Sequence, residues 1–333
     1  MNRIKPNELD EKKKHSLVSR IVVAALLIAV AVPCIFLGGW FWFSFLTIFL
    51  LLACFEMIHA TGKKYPIYVY AFAYVFVLAE AYWFIAKGNV EAYLANPDGY
   101  SFSLSHTGEG IGVSVVFLVA SIIVYWAIAL FDHRFDLFDA VYFLAVGLLI
   151  SLGFQGLLFV RYFPLSLSDD SSSSFAYYGS VTLLLFVCIA TVMNDTWAYF
   201  VGIFFGRHKM IPAVSPNKTW EGFFGGWILG GATCLAFALL TDYFGFPLLD
   251  SLAIFGAGSK WWWAVVLSFL LPLIGDVGDL TFSLIKRHFG IKDFGFIFLA
   301  HGGVLDRADS FTFTAMFTAV FVSLLNSGLG FLL

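Results

Sequence analysis

Between residues 283 and 310, an otherwise apolar chain gathers Ser283, Lys286, Arg287, Lys292, Asp293, His301, Gly302, Gly303, Asp306, Arg307 and Asp309. In a lipid-embedded protein each charge costs several kcal/mol to desolvate unless it is paired or wet. Stability alone therefore gives no reason for the crowding, and the cluster reads as a site. Just upstream, Asp276, Asp279 and Ser283 follow at steps of three and four, so a helix would place them on one face, with Lys286 and Arg287 extending it. A carboxylate at the bilayer centre costs at least about 2.5 to 3.5 kcal/mol, so acids at that depth face a wet cavity or hold a cation. Gly302 and Gly303 allow the backbone to approach a ligand closely, and Asp306 and Asp309 follow one turn apart. Mg2+ takes one or two carboxylates together with water and phosphate oxygens. Asp279 and Asp306, from adjacent helices, are therefore the expected metal pair, with Asp195, Asp276 and Asp309 as secondary candidates. Lys218, Lys286, Arg287, Lys292 and Arg307 are the expected phosphate group.

A second constellation runs from Thr191 to Gly222. Asn194 and Asp195 sit near the end of an apolar run, and Tyr199, four residues on, shares the face of Asp195. Arg207, Lys209, Ser215-Pro216 and Lys218-Thr219 follow. Serine before proline signals a helix start, which would make an anion site with Arg207 and Lys218 as added donors. The plainer alternative is that these cations are ordinary inner-face residues and that Asn194 and Asp195 tie helices together. Asn194-Asp195-Thr196 and Asn217-Lys218-Thr219 match a glycosylation pattern, but the expected inner location makes both accidental.

These residues must be positioned by membrane helices. The 333 residues are 60 % hydrophobic and 12 % charged, which marks an all-α polytopic integral membrane protein. Roughly 20 apolar residues span a bilayer, and such runs occur at 17–38, 40–60, 66–86, 110–132, 138–161, 176–200, 223–241, 261–283 and 310–333. That gives nine expected helices. With the amino terminus inside, all but Lys87, Arg161 and Lys260 of the 19 Lys and Arg fall on the cytoplasmic side, and those three are expected to snorkel from helix ends. The first run lacks a small-residue cleavage site and reads as a spanning helix. Trp261, Trp262 and Trp263 read as an interfacial belt at the outer boundary. By composition, residues 1–16 form a cytoplasmic polar tail, 17–190 the amino-terminal helices and 191–333 the region with chemistry, whose helices would enclose a cytoplasm-facing polar cavity. The serine run at 171–174 reads as a solvated linker. The four cysteines show no paired spacing, which argues against disulfides, thiolate metal sites and redox chemistry. A net charge of -3 gives no reason to expect nucleic acid.

Ser283, Lys286-Arg287, Lys292-Asp293, His301-Gly302-Gly303, Asp306-Arg307 and Asp309 resemble, in order and spacing, the signature of the phosphatidate cytidylyltransferase family, also called CDP-diacylglycerol synthases. Asn194-Asp195-Thr196, Ala198-Tyr199, Gly206, Lys209, Ser215-Pro216 and Lys218 through Gly222 are similar to the family's second block. Together the blocks cover about the last 140 residues, while the earlier helices match only as generic spans. The resemblance implies transfer of the cytidylyl group of CTP to phosphatidic acid, with Mg2+ and a monovalent cation such as K+ beside it. It associates Asp279 and Asp306 with the metal, and it leaves room for a homodimer in the cell membrane. Catalytic roles are expected for Asp279, Asp306, Lys292 and His301, the last in positioning, since phosphatidate is already ionised at neutral pH. Asn194, Asp195, Tyr199, Arg207, Ser215, Lys218, Thr219, Ser283, Lys286, Arg287, Gly302, Gly303 and Arg307 are expected to bind substrate. The chain departs from the family pattern in three places: Leu299-Ala300 replaces Pro-Gly, Phe282 stands where an acid is common beside the metal pair, and Trp197 replaces a glycine. The alternatives are a CTP-dependent polyprenol or dolichol kinase, an ion-coupled transporter, and an inactive scaffold motivated by Phe282.

Overall fold

A computed structural model describes residues 11–108, 110–167, 174–255, 259–295, 297 and 302–327. His301, Leu299-Ala300, most of the serine run and residues 1–10 lie outside the described residues. Nine α-helices occur within them, at the places the apolar runs indicate: α1 Glu11–Leu37, α2 Gly39–Ala60, α3 Ile67–Ala95, α4 Val115–Phe131, α5 Leu137–Ser166, α6 Ser174–Phe205, α7 Trp220–Tyr243, α8 Trp261–His288 and α9 Leu305–Ser327. Seven are long and apolar enough to cross a membrane. The 17 residues of α4 rise only about 26 Å, and the described apolar part of α1, Ala25–Leu37, is also shorter. The molecule is an all-α polytopic membrane protein.

Lipid is as apolar as leucine, so helices in a membrane associate through close packing and polar ties. Gly222, Gly226 and Gly230 put one bare stripe of α7 against α6. A Cβ on Gly222 would meet the Ala198 carbonyl at 2.8 Å, and one on Gly226 would meet Asn194 Oδ1 at 2.8 Å. Gly156 does the same between α5 and α9, where a Cβ would stand 2.6 Å from the Ala315 backbone. Hydroxyls buried in α9 bond back to their own helix, as Thr318 Oγ1 does to the Thr314 carbonyl at 2.7 Å. All four cysteines are free.

Two expectations need correction. Arg161 does not snorkel: it is 1 % exposed, inside α5. Its Nε donates to the Ile35 carbonyl at 3.1 Å, and Nη1 donates to Ser180 Oγ. The carbonyls at the end of α1 lack helical partners and carry partial negative charge, so they stabilise the guanidinium there. Ser215-Pro216 does not open a helix either. β1 (Lys209–Ile211) and β2 (Ser215–Thr219) form an antiparallel hairpin, with Ile211 opposite Ser215 and Lys209 opposite Thr219. Both strands of a two-stranded ribbon are edges, which tolerate a proline lacking its N–H. The helix starts later, because extended Thr219 accepts a hydrogen bond from the Gly222 amide at 3.2 Å as N-cap of α7.

Candidate active site

The hairpin and its cap deliver Lys218 to α8. Lys218 Nζ lies 2.6 Å from Asp276 Oδ1 and 2.8 Å from Asp279 Oδ2. Because α8 continues through His288, Asp276, Asp279, Ser283 and Lys286 do share one helix stripe, and Ser283 Oγ donates to Asp279 Oδ1 at 3.5 Å. Burial opposes charging Lys218, but Asp276 and Asp279 outweigh it and hold the ammonium well above the usual lysine range. Lys218 therefore stays charged at physiological pH. Beside it opens a cavity of about 440 Å3 whose walls include Asp195, Tyr199, Asn217, Lys218, Thr219 and Asp276. Two buried polar oxygens on its border helices, Asp276 Oδ2 and Asn194 Oδ1, have no hydrogen-bond partner among the described residues.

One turn beyond Ser283, Lys286 Nζ makes a second ion pair with Asp306 Oδ1 at 2.8 Å and faces the Phe294 ring at 5.6 Å. The other oxygen of Asp306 accepts the amides of Phe294 and Gly303, each at 2.9 Å. Asp306 thus ties both ends of the 294–303 segment to α8. Gly302 has φ +83°, the left-handed region where a side chain is strained, and a Cβ there would also stand 2.9 Å from Asp306 Oδ2. Asp309 is 8 % exposed, with Oδ1 accepting the Ser310 amide at 2.8 Å, and it lies within electrostatic reach of Asp279, Lys286 and Asp195.

Asp195, Tyr199, Lys218, Thr219 and Asp276 thus meet at the cavity wall, with Asp279 joined through Lys218 and Ser283 through Asp279. Asp279 and Asp306 contact different lysines rather than a common partner. Among the described residues no group of three or more His, Cys, Asp or Glu is arranged to hold a metal ion. Asn194 is buried between α6 and α7. The exposed Arg207 contributes its amide to Glu221 Oε2 at 3.1 Å, while Glu221 also accepts from His208 Nδ1 at 2.6 Å, so this pair closes the hairpin. Arg287 donates to the Val214 and Ile291 carbonyls at 3.1 and 3.3 Å. Lys292 is exposed, and Ser215 sits in β2. Phe282 is fully buried, its ring against Phe294 and Phe313, so this position supports the Asp306-bound segment through apolar packing. Trp197 Nε1 donates to Thr233 Oγ1 at 3.1 Å, linking α6 to α7.

Sequence reading missed Glu56. This α2 residue is 1 % exposed, yet its two oxygens accept the amides that open α9, Val304 at 2.9 Å and Leu305 at 2.8 Å. Gly303 packs so closely on its carboxylate that no side chain would fit. A carboxylate here satisfies two otherwise orphaned donors and meets the positive end of the helix dipole. The available signal was a lone acid in the apolar run of α2.

Residues 18–325 match the cytidylyltransferase family. The chain is 34 % identical to the phosphatidate cytidylyltransferase of Staphylococcus saprophyticus over 181 residues, 54 % of this chain and 58 % of that protein. Against the phosphatidate cytidylyltransferase of Staphylococcus epidermidis it is 33 % identical over 196 residues, 59 % and 64 % of the two chains. The alignments thus span less than two thirds of these relatives. With both polar blocks folded onto one stripe of α8, and the match running from α1 to α9, the chain belongs to the cytidylyltransferase family.

Proposed function

We propose that this protein transfers the cytidylyl group of CTP to phosphatidate, giving CDP-diacylglycerol and pyrophosphate. The observation that carries this reading is the pair of ammonium–carboxylate clusters, Lys218 with Asp276 and Asp279 and Lys286 with Asp306, the first of them on the wall of the cavity. The names of the curated relatives agree with it. In the reaction an oxygen of the lipid phosphate forms a bond to the α-phosphorus of CTP while the bond from that phosphorus to the β-phosphate oxygen breaks, and pyrophosphate leaves with the electron pair. The attacking phosphate is already ionised near neutral pH, so no general base is needed. What the protein must supply is positive charge and orientation for two polyanions. Lys218 and Lys286 supply fixed ammonium groups that can move their hydrogen bonds from carboxylate to phosphate. Asp276 and Asp279 keep Lys218 charged and directed, while Asp306 directs Lys286 and also holds the segment entering α9.

Mg2+ fits this donor set. Asp276 keeps a buried oxygen without a partner, and one or two carboxylates suffice when phosphate oxygens and water complete the shell. Asp276 and Asp279 would hold it, with Asp195 and Asp309 nearby. When bound, it would neutralise charge on the CTP phosphates. By the distribution of Lys and Arg, the site faces the cytoplasm, so CTP reaches it from the cytosol and the acceptor laterally from the inner leaflet.

The purified protein in detergent, given phosphatidate and Mg2+, is expected to incorporate label from CTP carrying 32P at the α-phosphate and none from CTP labelled at the γ-phosphate. Lipid labelled from the γ position would instead identify a kinase, and no labelled lipid from either would refute both.

A further inference from the structure

We propose that α1 and α2 form a two-groove seat for the two acyl chains of the acceptor, with Arg307 at the polar mouth of one groove; this rests on the cytidylyl-transfer reading for the identity of the head group. The first groove, about 300 Å3, lies between α1, α2, α5, α6 and α9, and among the described residues Arg307 is the only charged one on its wall. Its apolar lining includes Ala31, Ile35, Leu46 and Phe311. The second, about 380 Å3, lies between α1, α2 and Ile297, its described lining apolar, with Val23, Val30 and Ile48 on its wall. The two share the wall formed by Leu27, Phe45 and Phe49. From Leu27 to Ile35 the first groove follows α1 for about 12 Å at 1.5 Å per residue, a depth that suits an extended hydrocarbon chain.

α9 joins this seat to the polar site. Val304, Arg307, Ala308 and Phe311 are spaced as one helix face and all line the first groove, while Asp306 and Asp309 lie on a different face. Arg307 is exposed and within electrostatic reach of Asp195, which lines the neighbouring polar cavity. A phosphate bound to Arg307 would therefore stand between the grooves and the Lys218 site. This charge complementarity selects an anionic head, and two adjacent apolar grooves select two chains. A polyprenyl phosphate has one chain and would leave the second groove unfilled.

The test uses the full chain in detergent, with native mass spectrometry to count bound dioleoyl phosphatidate and single-chain oleoyl lysophosphatidate. The wild type is expected to retain the diacyl lipid in preference. Ala31→Phe, which fills the first groove, and Val30→Trp, which fills the second, should each reduce that preference and raise KM for dioleoyl phosphatidate. A change of about tenfold corresponds to displacing about two methylenes, and KM for CTP should be unchanged. Val30 is 54 % exposed, so its variant keeps the test valid if Ala31→Phe does not fold. Equal retention of both lipids by the wild type, or an undiminished preference in the folded variants, would overturn the seat. A wild type that retains diacyl phosphatidate but forms no CDP-diacylglycerol would instead overturn the cytidylyl-transfer reading and leave the seat standing.

Discussion

Glu56 and Lys218 show how single side chains set this site. The stripe of Asp276, Asp279, Ser283 and Lys286 was legible in the sequence because helical spacing alone puts those residues on one face. Their partners were not, because Lys218 is 58 residues from Asp276 and Glu56 is 248 residues from Val304. No local pattern records such contacts. The sequence paired Asp279 with Asp306 because both are acids on adjacent helices, whereas the structure gives each its own lysine. Removing the α9 cap leaves two buried amides unsatisfied, so Glu56→Ala should lower stability by about 1 to 3 kcal/mol and reduce turnover. Glu56→Gln keeps one acceptor oxygen and should recover part of both, as read by unfolding midpoints in detergent and by kcat. Identical behaviour of the two variants would remove the capping role.

At the level of elements, the spans were legible because they are apolar runs; α8 starts where its run does, while α9 starts five residues before the expected 310. The β1–β2 hairpin was not, since strands of three and five residues carry no periodicity and Ser-Pro also imitates a helix start. A second junction, between the α2–α3 loop and α5, gives a pH test. Asp136 N-caps α5 in a capping box with Asp139, and Lys63 Nζ lies 2.8 Å from each carboxylate. The Lys63 hydrogen bond, followed by the Asp139 amide, holds the Asp136 carboxyl below its ordinary range. Its folded value is depressed, so its contribution is complete above the unfolded value near about pH 4 and is lost as pH falls through the folded one. Asp136→Asn should therefore lower the thermal midpoint at neutral pH and reduce the part of the acid-induced loss that develops below about pH 4. An unchanged acid limb would show that the junction contributes nothing. Because Lys63 and Asp136 are well exposed, the effect should be small and should shrink with added salt.

Across the whole molecule, the polar site and the apolar helices form one device. The amino-terminal half looked generic in sequence because its contributions are an apolar wall and one acid: α1 and α2 line both grooves, α2 caps α9 through Glu56, and α5 packs closely on α9. Composition and hydropathy reported the membrane class correctly, but the tertiary proximity that joins α2 to the site leaves no mark in either. In the proposed reaction, the Lys218–Asp276–Asp279 cluster serves cytidylyl transfer to phosphatidate. The most direct measurement is the initial rate at which label from α-32P CTP enters lipid, for the wild type and for Lys218→Met, with both proteins shown to be folded by size-exclusion chromatography in detergent. Labelled CDP-diacylglycerol from the wild type, and a loss of about a hundredfold or more in the variant, is the expected result. A folded wild type that incorporates no label, or a folded variant that matches its rate, would contradict the account.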